Sequence, residues 1–96
     1  MKVRYNAEAL REMAAIADYL RPLNPEAGAR VRAAIEATVR IILESPWSGR
    51  IQDVPGVRKA VTRHGYLIFY RVDEAAQAID VLGIQHPARD RPYNDA

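Results

Sequence analysis

Residues 54–72, VPGVRKAVTRHGYLIFYRV, commit the second half of this chain to antiparallel sheet. Two runs rich in β-branched and aromatic residues, Val57–Thr62 and Tyr66–Val72, flank a gap that allows only a tight turn at His64-Gly65. In the second run Tyr66, Ile68, Tyr70 and Val72 share one face, and Leu67, Phe69 and Arg71 share the other. A further strand, Ala78–Gln85, follows a turn at Asp73-Glu74-Ala75-Ala76. Strict alternation there sets Ile79, Val81 and Gly83 against Asp80, Leu82, Ile84 and His86. Both faces of the resulting meander are mostly apolar, so both call for cover.

The first half supplies cover for one face. Lys2–Tyr5 alternates as a short strand. Asn6 then reads as a helix N-cap, with Glu8 in the first turn, where the helix dipole favours an acid. Leu10, Met13, Ala17 and Leu20, widened by Ile16, form one face of an amphipathic helix that Pro22 ends. Asn24-Pro25-Glu26 is a second start signal, and Ala27, Val31, Ala34/Ile35, Thr38 and Ile42 keep the period to about Glu44. So short a connection makes the two helices a roughly antiparallel hairpin. Ser45-Pro46 stops the second helix, and residues 45–56 read as a loop.

The expected fold is α+β, in the order β-α-α-β-β-β: a helical hairpin packed on a small, mainly antiparallel sheet. The expected divisions of a single domain, 1–96, are a strand (1–5), the helical hairpin (6–45), a three-strand meander (57–85) and a polar tail (86–96). The edge joined by the first strand does not follow from the pattern. One sheet face is expected to stay open, apolar and rimmed with charge, which calls for a partner.

At 96 residues the core is small, and a deep internal substrate cavity would compete with it, so surface chemistry is favoured. The net charge is only +2, but Ser45–Val72 holds five cations (Arg50, Arg58, Lys59, Arg63, Arg71) against one acid, Asp53. That strip suits an acidic partner, nucleic acid or peptide, and also fits a solvated strand face. With no cysteine there is no disulfide, zinc-thiolate site or thiol nucleophile. No signal peptide or membrane span is evident, so a cytoplasmic protein without a membrane role is the expectation.

Acid–base candidates are few. His64 reads as an exposed turn residue. His86, ahead of Pro87 and near Arg89 and Arg91, suits a general acid on a nucleic-acid backbone, or a contact, or a hydrogen bond ending the strand. Trp47 reads as a core lid or a binding anchor. No motif for a metal, a cofactor or nucleophilic catalysis is present.

Several short motifs in fixed order resemble the RelE/ParE superfamily of bacterial toxins from type II toxin–antitoxin pairs. They are Leu43-Glu44-Ser45-Pro46 closing the helical hairpin, then V-P-G-x-R at Val54–Arg58, G-Y-x-x-x-Y-R-V at Gly65–Val72, and I-x-H-x-x-R at Ile84–Arg89. The RelE-like branch, ribosome-dependent mRNA endoribonucleases, implies an arginine where this chain has Leu67, a lysine where it has Ala60 and an arginine near Pro87; Arg58 and Tyr93 match a basic strand residue and the tail tyrosine. Some RNA-cleaving relatives use a Glu, an Arg and a C-terminal His instead, which His86 matches, but the arginine position is again Leu67. The ParE-like branch is the more similar. That resemblance implies a poison of DNA gyrase without chemistry of its own, neutralised by a cognate antitoxin through an acidic C-terminal segment in a hetero-oligomeric complex. An inactive toxin-fold binding module is the third reading. The residues expected at functional surfaces are Arg58, Tyr70, Arg71, His86, Arg89 and Arg91, with no catalytic residue, metal or cofactor.

Overall fold

A computed structural model describes residues 1–89 and Tyr93. The chain runs β1 (Lys2–Tyr5), α1 (Ala7–Leu20), α2 (Pro25–Glu44), β2 (Arg50–Ile51), β3 (Val57–Val61), β4 (Leu67–Asp73) and β5 (Ala78–Gln85), then a 3-10 turn at Pro87–Arg89. The α+β class and the helical hairpin are as the sequence implies. The short β2 is an addition inside the expected loop. It forms because Arg50 and Ile51 come alongside Lys59 and Arg58 and can pair antiparallel with them.

The sheet order is β1-β5-β4-β3-β2. The first strand joins the β5 edge and runs parallel to it, from Lys2 opposite Ala78 to Tyr5 opposite Val81. The helical hairpin carries the chain from β1 to β2 at the far edge, and the antiparallel strands that follow bring β5 back beside β1. The caps act as their residue types dictate. Asn6 Oδ1 accepts the Ala9 N–H at 2.8 Å, and Asn24 Oδ1 accepts that of Glu26 at 3.0 Å ahead of Pro25. At the hairpin turn Gly65 has φ of +84°, which a side chain would resist, and Thr62 Oγ1 takes the Tyr66 N–H at 3.1 Å.

One core lies between the helices and the sheet. Ala9, Val31, Ile35, Val39 and Ile42 pack on Tyr66, Ile68, Tyr70, Ile79, Val81 and Ile84. Ile84 corrects the alternating pattern. Phe69 pairs with Gly83 and Tyr70 with Val81, so Leu82 is the extra residue of a β-bulge. Beyond the bulge the faces exchange, and Ile84 joins Ile68 under the helices.

The second face also differs from expectation. Val57, Leu67 and Phe69 are buried there, packed with Val54, Leu82 and Tyr93. The Tyr93 ring lies 5.3 Å from that of Phe69, tilted by 35°. The chain's own loop and tail thus close the apolar patch that the pattern leaves open.

Candidate partner-binding surfaces

The expected site residues separate by face. Arg58 pairs with Tyr70 and faces the helix side, whereas Arg71 pairs with Val57 and faces away from the helices. They do not form one cluster.

Tyr70 is a core residue and a correction to its placement at a surface. It is fully buried, its hydroxyl donates to the Pro46 carbonyl at 2.8 Å, and it accepts the Gly49 N–H at 2.9 Å. Burial pushes the phenol pKa up, against the smaller opposing effects of the Gly49 N–H and Arg58. Arg58 works on the same loop. Its Nη1 donates to the carbonyls of Trp47 at 2.7 Å and Gly49 at 2.9 Å, and its guanidinium lies 5.2 Å from the Trp47 ring centroid. Trp47 is 54% exposed, so it is not a core lid.

On the helix-free face the register lines up Arg50, Lys59 and Phe69, with Arg71 alongside. Arg71 is exposed, and its Nη2 donates to the Pro55 carbonyl at 3.3 Å. At the other end of this face Arg4 grips Asp80 at 2.6 and 2.9 Å and Asp73 at 3.0 Å. The Ala76 N–H, then Arg4, pulls the Asp73 carboxyl below its ordinary range. One guanidinium spans both carboxylates and Asp80 is also the cross-strand neighbour of Arg71, so the acids of this face gather on β4 and β5 and the cations toward β2 and β3.

His86 stands edge-on between Tyr66, 5.4 Å away, and Tyr19, 6.3 Å away. Its Nδ1 accepts the Ala88 N–H at 3.0 Å, so it ends the strand and fixes the following turn. Arg89 closes that turn, and Arg91 lies outside the described residues.

Two clefts flank α1. One, of roughly 440 Å³ between α1 and α2, is walled by Leu10, Met13, Ala17 and Ala29. The other, of roughly 380 Å³, lies against β5 and is walled by Glu12, Ile16, Tyr19, Ile84 and His86. β1 covers β5 only as far as Val81, and Glu12 Oε1 takes the next exposed donor, the Ile84 N–H, at 2.9 Å. Burial raises the Glu12 carboxyl, an effect that this hydrogen bond partly offsets. The sequence motifs do not single out Glu12. Its spacing from Ile16 and Tyr19, four and three residues along one helical face, was the available signal. Among the described residues no group of His, Asp and Glu converges as a metal site, and no helix is long and apolar enough to cross a membrane.

A helical hairpin packed on one face of a five-stranded, mostly antiparallel sheet with basic strands defines the class as a small α+β protein. Residues 3–91 match the family model described as "ParE toxin of type II toxin-antitoxin system, parDE". The chain belongs to that family. It is 30% identical over 92 residues to "Putative toxin Y4kP" of Sinorhizobium fredii (strain NBRC 101917 / NGR234), covering 95% of this chain and 93% of that one. Among solved structures it is similar to a chain of a chromosomal ParDE toxin–antitoxin system from P. aeruginosa. The TM-score there is 0.76 at 26% identity, over 90% of this chain and 95% of that one. A chain of the intact E. coli RelBE toxin–antitoxin complex shares the fold, with a TM-score of 0.66 at 21% identity over 86% and 92% of the two chains.

Proposed function

We propose that this member of the ParE toxin family poisons DNA gyrase in the cytoplasm without chemistry of its own. A cognate antitoxin with an acidic C-terminal segment would neutralise it in a hetero-oligomeric complex. The observation that carries the reading is Leu67. Where resemblance to the RNA-cleaving branch calls for an arginine, this residue is 4% exposed and packs with Val57 and Phe69. Ala60, at the corresponding lysine position, contributes a methyl group to the helix-side core. In-line RNA cleavage needs cations aimed at the developing phosphorane charge, and these two positions offer none. The exposed cations Arg50 and Arg71 on the helix-free face support an acidic binding segment.

The test is gyrase supercoiling with purified protein, scored for linear DNA after detergent and protease. The expected result is inhibition with trapped cleavage, reversed by the antitoxin. No effect at protein in clear excess over gyrase overturns the gyrase reading, and ribosome-dependent mRNA cleavage would then identify the endoribonuclease alternative.

A further inference from the structure

The segment between α2 and β2 is held in one shape by groups drawn from the core. Tyr70, Arg58 and the absent side chain of Gly49 all serve it. The Tyr70 hydroxyl bonds Pro46 and Gly49, Arg58 bonds the carbonyls of Trp47 and Gly49, and a Cβ on Gly49 would approach within 2.7 Å of the Tyr70 Cε1. Four hydrogen bonds thus fix a turn whose one large exposed side chain is Trp47.

Next to it Ile51, 72% exposed, pairs with Arg58 across the β2–β3 ladder and so shares its face. Arg58 commits Nη1 to the loop carbonyls, while Nε and Nη2 have no hydrogen-bond partner among the described residues. An indole, an aliphatic chain and a half-used guanidinium therefore stand together on a rigid support. Arg50, the adjoining residue on the same short strand, points to the opposite face with Lys59. Rigid Trp and Arg side chains beside apolar surface are the composition of interface anchors, because little conformational entropy remains to be lost on binding.

We infer that Trp47, Ile51 and Arg58 form a preformed docking site for an extended, acidic protein segment. An aliphatic side chain of that segment would pack between Trp47 and Ile51, and a carboxylate would meet the free edge of Arg58. The charge selects the partner: the uncommitted Nε and Nη2 of Arg58 favour an acidic segment, which on the reading above is that of the cognate antitoxin. The inference rests on that reading for the identity of the partner.

The experiment is calorimetric titration of the full-length protein with the purified cognate antitoxin, alongside the variants Trp47→Ala, Ile51→Ser and Ile41→Ser. Ile41 is 60% exposed on α2 and serves as the control for loss of exposed apolar surface. Circular dichroism verifies that each variant is folded. The expected result is at least a tenfold loss of affinity for Trp47→Ala and for Ile51→Ser with little change for Ile41→Ser, and a blue shift of Trp47 emission when wild type binds. Equal affinity of wild type, Trp47→Ala and Ile51→Ser overturns the docking site while leaving the antitoxin reading intact. Equal losses in all three variants also overturn it. Absence of binding by the wild type overturns the antitoxin reading, and the site's assigned partner with it.

Discussion

The hydroxyl of Tyr70 accepts the Gly49 N–H at 2.9 Å, tying the centre of the sheet to the loop that follows α2. The same oxygen donates to Pro46, so one buried side chain satisfies two loop backbone groups. Tyr70→Phe keeps the ring packing and strands both groups. An unsatisfied buried donor or acceptor costs about 1–3 kcal/mol, so a loss of about 2 kcal/mol is expected. In a domain of this size that lowers the melting temperature by about 10 °C. Thermal unfolding followed by circular dichroism measures it. A shift within error of zero would mean that the hydroxyl is not the loop's anchor.

The helices and strands were legible because each depends on local pattern. Asn6 and Asn24-Pro25 announce the helix starts, and Gly65 announces the hairpin. What was not legible depends on contacts between distant residues. Alternation cannot reveal the bulge at Leu82, so it sets Ile84 on the wrong face. Tyr70 and Arg58 look like surface residues in a basic strand because their loop partners lie 24 and 11 residues away at most. Their neighbours in the sequence carry no trace of those bonds. Arg71 is where the strand pattern puts it, whereas His86, carried past the bulge with Ile84, faces Tyr66 and Tyr19 on the helix side and not the face of Asp80 and Leu82.

Glu12 should make stability fall as pH rises. Its carboxyl is raised above the ordinary value of 4.5, chiefly because burial penalises the charged form. Between the unfolded and folded pKa the native state therefore binds more protons, and unfolding free energy declines with pH through that window. The penalty is absent below the unfolded value and complete above the folded one. Glu12→Gln keeps an acceptor for the Ile84 N–H and removes the titration. Urea unfolding of both proteins at matched pH values should show the variant gaining on wild type as pH rises from 4.5. A constant difference across that range would rule out the assigned shift.

Salt should weaken capture of an acidic segment. Arg50 and Arg71 are exposed, and exposed charge pairs contribute roughly 0.2–1 kcal/mol each and are screened beyond about 8–10 Å near physiological salt. Arg50→Ala and Arg71→Ala should each lower antitoxin affinity by about two- to fivefold at low salt, with less effect in about 0.5 M salt. Titration at several salt concentrations tests this. Affinity that does not change with salt would assign the contact to apolar surface alone.

Leu67→Arg tests whether a single cation at the position implied by the RNA-cleaving relatives is enough for chemistry. Leu67 is 4% exposed and shares its cluster with Val57 and Phe69, so the guanidinium would enter an apolar environment. Burying a charge without a partner makes the substitution costly, about 3 kcal/mol, and the side chain will tend to push outward and disturb the second sheet face. Ala60 leaves the lysine position without a charge in the same protein. The expected outcome is a destabilised protein that yields no ribosome-dependent mRNA cleavage. Cleavage by the variant and not by wild type would show that the scaffold is one residue from nuclease activity. Leu67 would then be the residue that withholds nuclease activity from this chain.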